Sequence, residues 1–307
     1  MTYSIVARDA ETGDLGVAVQ SDWFSVGATV PWAEAGVGAV ATQSFAETSY
    51  GPLGLELLRA GRAPDQVLRA LTSVDDAAPR RQVGIVDASG RAAVHTGAGC
   101  VAEAGHLVGD GFACQANMME RDSVWPAMAE AFTGSSGPFA ERLLTALDAA
   151  EAEGGDVRGR QSAAMLIVAA APSGRPWADR KVDLRVENHP DPLGELRRLV
   201  AYQEAYRLNG QAETAFMAGD VAGAEAAHAR SMALAPDDAQ LAFWSGLSMA
   251  GLGRFDEAKS LIGRAVAANP RYAVFLRRLP QAGVFPADDR LLDVLLGEES
   301  GHDAMRP

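Results

Sequence analysis

Near residue 190 the chain changes texture, and no single layer of packing accommodates both halves. Before that point, short apolar runs alternate with Gly-rich turns; after it, the pattern is helical and rich in Ala and Leu. Glu187-Asn188-His189-Pro190-Asp191-Pro192 marks the break, because its two prolines can continue neither a sheet ladder nor a helix interior. The length of 307 residues suits about two domains, and the chain is expected to divide into residues 1–190 and residues 191–307.

The first half opens with a hairpin. Ser4–Arg8 and Leu15–Gln20 are strand-like, and Glu11-Thr12-Gly13-Asp14 supplies turn residues between them. Further strands are expected at Gly38–Gln43, Gln82–Asp87, Ala92–Thr96, Gly111–Gln115 and Ala163–Ala170. Apolar spacing predicts helices around Leu53–Leu58, from Pro64 through Leu71, and over Phe139–Leu147. Strands that come in clusters, with helices between the clusters, point to an α+β fold with antiparallel sheets and helices segregated to their faces.

The second half repeats itself. Gly219-Asp220-Val221-Ala222-Gly223-Ala224 aligns with Gly253-Arg254-Phe255-Asp256-Glu257-Ala258, and Ala235-Pro236 with Asn269-Pro270, both at an offset of 34 residues. That is the tetratricopeptide period. Ala224, Ala258, Leu241, Leu247 and Leu261 form the expected packing stripe. Helices at Leu193–Leu208 and Asp288–Leu296 are expected to flank the two repeats, giving a small all-α tetratricopeptide-like domain.

With 27 Lys and Arg against 40 Asp and Glu, the net charge is −13. Such a chain repels phosphate backbones, which argues against nucleic-acid binding. No apolar run approaches the roughly eighteen residues of a membrane span. The opening MTYSIVARD has no basic region followed by an apolar one, and two cysteines make no disulfide framework. A cytoplasmic location is the expectation.

Thr2 directly follows the initiator Met, and a small residue there normally permits removal of that Met. A free Thr2 is a complete catalytic unit: its hydroxyl attacks a carbonyl, and its α-amine, of pKa about 7.7–8.0, accepts the proton. The bland alternative is a chance Met-Thr start.

Thr2–Asp9 followed by Gly16–Ser21 resembles the start of a proteasome-like N-terminal-nucleophile (Ntn) hydrolase. More broadly, the first two hundred residues or so resemble the bacterial and archaeal family called domain of unknown function 1028. The matching segments include Val30-Pro31-Trp32, Gly36–Gln43, Ser49–Pro52, Arg81–Asp87, Gly105-His106, Gln115–Met118, Gly159–Ala164 and Asp183–Val186. The resemblance implies a four-layer αββα sandwich that hydrolyses an amide, and it brings Gln43, Gln115 and His106 into the substrate-binding set. Where members often carry Lys or Arg after the serine of the second strand, this chain has Ser21-Asp22, and Ala116 stands where Gly is common.

Other polar residues are read beside their plainer alternatives. Asn117 is an oxyanion donor or a turn cap. Ser21 is a catalytic partner of Thr2 or an exposed strand end. Asp22 holds the α-ammonium or is a surface charge. Arg160, with Gln161 and Ser162, binds a substrate carboxylate, or pairs with Asp156 to hold a loop. His95, Cys100, His106 and Cys114 lack the short spacings of a zinc site, so neither metal nor cofactor is expected. A Cys-His nucleophile pair is less favoured. Gly36-x-Gly38-x-x-Ala41 enters a strand, where a dinucleotide fingerprint must leave one.

The leading expectation is an Ntn-type amidohydrolase acting on a small amide or short peptide through Thr2. The rivals are a catalytically inactive scaffold whose repeats recruit protein partners, and a small-molecule binding protein. A homodimer is the expected assembly.

Overall fold

The computed structural model describes residues 2–298. It divides into two compact units, Met1–Val200 and Ala201–Pro307, with the division falling inside a long helix.

The first unit contains ten strands: β1 (Thr2–Arg8), β2 (Leu15–Ser21), β3 (Pro31–Glu34), β4 (Gly38–Ser44), β5 (Arg81–Asp87), β6 (Ala92–Thr96), β7 (Gly105–Gly109), β8 (Phe112–Asn117), β9 (Ser162–Val168) and β10 (Arg180–Val186). Four helices lie between them, α1 (Tyr50–Arg59), α2 (Pro64–Thr72), α3 (Val124–Gly134) and α4 (Phe139–Ala152), and α5 (Pro192–Met217) follows. Six strands form one sheet in the order β10-β9-β2-β1-β8-β7, and four form another in the order β3-β4-β5-β6. Every ladder is antiparallel.

Strand alternation sorts the side chains into three apolar layers. Tyr3, Ile5 and Ala7 of β1 join Cys114 and Met165 against Met128 of α3 and Leu143 and Leu147 of α4. On the other face of the same sheet, Val6, Val17, Val19 and Leu166 meet Ala39, Ala41 and Val86 of the four-stranded sheet. The far face of that second sheet, with Val40, Val83 and Ile85, is covered by Leu55 and Leu58 of α1 and Val67 and Leu71 of α2. The order is therefore helices, sheet, sheet, helices.

Three strands lie outside those expected from the sequence. β3 is short, half-buried and begins at Pro31, which an edge strand tolerates because its N–H is not needed. β7 and β10 are the two edges of the larger sheet. The helix α3 likewise lies outside the expected elements, and α5 extends well past Leu208.

A carboxylate latch closes the turn between α2 and β5. Asp75 accepts hydrogen bonds from Arg81 Nε, Tyr50 Oη and the backbone N–H of Ala77, each at 2.8 Å. Arg81, then Tyr50 and Ala77, pull its pKa down to about 2.

In the second unit, α6 (Val221–Leu234) and α8 (Phe255–Ala268) are offset by the same 34 residues as the sequence repeat. Gly219 and Gly253 precede them with φ of 79° and 74°, the left-handed conformation in which a side chain would be strained. Between and after them lie α7 (Ala239–Gly251), α9 (Arg271–Arg278) and α10 (Asp289–Leu296). Ala224, Ala258, Leu241 and Leu247 are buried, and Leu261 packs against the core that includes Phe243, Ile262 and Leu276. No helix of the described residues is long and apolar enough to cross a membrane.

Two outcomes follow. Leu143→Ala empties a fully buried site between β2 and α4 and is expected to cost about 2–5 kcal/mol, read as a lower denaturant midpoint. For Asp75, a depressed folded-state pKa means the stabilisation is complete above its unfolded value of about 3.9 and is lost as pH falls towards 2. Asp75→Asn should lower stability at neutral pH and flatten the melting-temperature profile between about pH 4 and pH 2.

Candidate functional site

The ladders place four polar residues in one row across the larger sheet. Thr2 pairs with Asn117 of β8 on one side and Ser21 of β2 on the other, and Ser21 pairs with Ser162 of β9. Partners in an antiparallel register share a face. Thr2 and Ser4 alternate with Tyr3 and Ile5, so the row faces the space between the two sheets. Thr2 Oγ1 and Ser21 Oγ are 3.1 Å apart, and either can donate.

Behind the row lies a network of buried amides. Gln43 and Gln82 are a cross-strand pair of the smaller sheet that faces it. Gln82 Nε2 donates to the backbone carbonyls of Ala116 (2.8 Å) and Gly105 (3.1 Å) and to Thr96 Oγ1 (3.0 Å). Gln82 Oε1 accepts from Gln43 Nε2 (2.8 Å) and Asn117 Nδ2 (3.0 Å). These same two amides donate to the carbonyl of Thr2, at 3.1 Å and 3.3 Å. Ser4 Oγ donates to Gln43 Oε1 (2.6 Å) and accepts from Gln115 Nε2 (3.2 Å), which also donates to the Ala41 carbonyl (2.9 Å). Gly84 leaves the room: a Cβ there would lie 3.3 Å from the Gln115 amide.

The sequence-derived residues Thr2, Ser21, Asn117, Gln43 and Gln115 thus converge. Ser4 and Gln82 belong to the same network and were missed. The available signal was parity, since each is polar and two positions from an inward-facing residue of its own strand. His106 touches the periphery: its Nδ1 is 2.8 Å from Thr96 Oγ1. Desolvation, and then neighbouring His95, lower its pKa.

Other expectations resolve differently. The N–H groups of Asn117 already serve Thr2 and Gln82, so they are not open to an oxyanion. Ser162 Oγ accepts from the backbone N–H of Val26 (3.0 Å) and donates to the Trp23 carbonyl, holding the loop after β2. Asp156 does pair with an arginine, but with Arg158 (3.3 Å). Its buried carboxylate also accepts the backbone N–H groups of Asp22 (3.2 Å) and Arg158 (2.9 Å), tying the loops before β9 and after β2 together. Asp22 Oδ2 is 3.8 Å from Arg158 Nε.

Arg160 lies 3.6 Å from Glu151 and 3.8 Å from Asp191. Glu151 in turn accepts from Tyr3 Oη (2.5 Å), on the helix-covered face of the sheet, so Arg160 does not join the Thr2 row. Burial, followed by Glu151, raises the Tyr3 pKa. Gln161 Nε2 donates to Asn188 Oδ1 (3.1 Å), also away from the row.

His95 Nε2 is bonded to the Ala78 carbonyl (2.9 Å), Cys100 Sγ to that of Arg81 (3.4 Å), and Cys114 is a buried core residue. Among the described residues no group of three or more His, Cys, Asp and Glu side chains is placed to hold a metal.

Gln82→Leu strands several buried acceptors and donors at once, whereas Asn117→Ala leaves both of its acceptors with Gln43 as a donor. Gln82→Leu is therefore expected to lower stability by several kcal/mol, at about 1–3 kcal/mol per orphaned group, and clearly more than Asn117→Ala in the same denaturant titration.

Residues 2–196 match the profile of a family of unknown function, DUF1028. The crystal structure of protein SPO2555 from Silicibacter pomeroyi, which bears the same family designation, is similar: 36% sequence identity, 65% of this chain and 84% of that chain covered, and a TM-score of 0.59. No curated protein matches the chain.

Proposed function

Starting from a chain that belongs to the DUF1028 family, we propose that residues 1–190 are an Ntn-type αββα sandwich that hydrolyses an amide through Thr2. The observation that carries this reading is the 3.1 Å contact between Thr2 Oγ1 and Ser21 Oγ at the end of the central strand pair. In the reaction, Thr2 Oγ1 attacks the amide carbonyl and loses its proton to its own α-amine. The tetrahedral intermediate collapses to an ester on Thr2, and the leaving amine takes the proton away. Water, deprotonated by the same amine, then attacks the ester and restores the hydroxyl. Ser21 orients Oγ1, while Gln43 and Asn117 fix the Thr2 carbonyl and so the backbone from which both reacting groups hang.

The chemistry requires Thr2 to be the first residue. Intact-mass measurement of untagged protein is expected to show the loss of one methionine, and Thr2→Ala is expected to remove at least about 10³-fold of the hydrolysis found on an amide panel. Full activity in Thr2→Ala overturns the reading.

A second reading has its own support. The repeat unit, which we take as tetratricopeptide-like, carries a groove of about 920 Å³ lined by Phe216, Trp244, Leu247, Phe255 and Phe285. An apolar groove on paired helices suits a protein partner, and Thr2 itself is only 6% exposed. A scaffold predicts a mass with Met retained and no turnover in either protein.

A further inference from the structure

The amide network has a direction, and that direction leaves two buried acceptors without a partner, Gln115 Oε1 and Asn117 Oδ1, of which the second belongs to the register partner of Thr2. Side-chain amide oxygens and nitrogens are assigned from their partners, and here two backbone carbonyls make the assignment. Ala116 and Gly105 can only accept, so the Gln82 group facing them is Nε2. Gln82 therefore turns Oε1 towards Gln43 and Asn117, and each of these must present its nitrogen. The carbonyl of Thr2 enforces the same choice on both. With its two N–H groups committed, Asn117 presents Oδ1 outward from the network, and this atom is buried with no partner. An unpaired acceptor at a fully buried position destabilises the fold, so the folded state has reason to fill it.

The strand geometry identifies what fills it. The N–H of Arg8 donates to the Gly111 carbonyl at 2.8 Å, on the β8 side. Backbone polar groups alternate sides along a strand, so Val6, Ser4 and Thr2 also direct theirs towards β8. The nitrogen of Thr2 thus lies on the same side as its register partner Asn117, where the ladder directs one N–H to the Asn117 backbone carbonyl, and a free α-amine has further N–H groups to offer the side chain. We propose that Asn117 Oδ1 is the acceptor for an N–H of the α-amine of Thr2 when Thr2 begins the chain, and that Gln82 is the positioning residue that aims it there. Asn117 then grips the nucleophilic residue twice, donating to its carbonyl and accepting from its amine. The role is opposite in polarity to oxyanion stabilisation. It rests on the reading of Thr2 as a chain-terminal nucleophile, but not on any turnover.

The test uses the full chain released from an N-terminal fusion so that Thr2 is first, with ¹³C-labelled threonine. The Thr2 carbon shifts, assigned by comparison with Thr2→Ser, report the titration of its amine without any reagent having to reach it. An acceptor favours the ammonium form, so Asn117→Ala should lower the titration midpoint by about one pH unit, and Asn117→Asp should raise it by about one unit or more. Asn117→Ala leaves both acceptors of its side-chain amide, the Thr2 carbonyl and Gln82 Oε1, supplied by Gln43, and a melting curve verifies that it folds. A folded Asn117→Ala with an unchanged midpoint overturns the proposal. Hydrolysis is assayed separately on the same samples. Shifted midpoints without turnover sink the amidohydrolase and leave the amine contact standing, and Thr2-dependent turnover with an unchanged midpoint does the reverse.

Discussion

Two backbone carbonyls, of Gly105 and Ala116, set the polarity of everything buried at one end of the sheet-to-sheet interface. They can only accept, and Gln82 is the side chain that answers them. From Gln82 the alternation of donor and acceptor runs through Gln43 and Asn117 to the Thr2 carbonyl, and through Gln43 to Ser4 and Gln115. The rest of the interface is Val, Ala and Leu, which impose no such direction. A low-dielectric interior makes a satisfied amide network rigid and a broken one costly. The first strand ends against this network, so its first side chain has little freedom in where it points.

Much of this was legible in the sequence, for a physical reason. Alternation along a strand is a local property, and Thr2 with Ser4, or Gln115 with Asn117, shows two polar residues on one face of an otherwise apolar run. What joins those faces is register, which depends on distant pairings and leaves no local trace. Gln82 looked like the first residue of a strand and no more. Loops leave the least trace in sequence: Arg158 and Arg160 are equally charged and two residues apart, yet only Arg158 reaches Asp156. β10 hid behind its charges, although Val182, Leu184 and Val186 alternate with Lys181, Asp183 and Arg185 as a half-buried edge strand should.

The repeat unit was more transparent because its period is carried by backbone conformation. A glycine with positive φ before α6 and another before α8 set the same turn twice. The two repeats differ in their filling: His228 occupies the position of Ile262, 34 residues on, and meets Ser245 at 3.0 Å where the later repeat has only apolar packing. Burial lowers the pKa of that imidazole, which keeps it neutral beside the hydroxyl.

The central position of β1 has a consequence for the order of events in synthesis. β1 can pair with β2 almost at once, but its other neighbour, β8, lies 115 residues away at the Thr2 and Asn117 pair. Closing so distant a contact is slow, and it cannot begin before β8 has left the ribosome. Throughout that interval one edge of the first strand is open to solvent. An enzyme that trims the chain start during that interval meets a half-paired hairpin in place of the finished sheet.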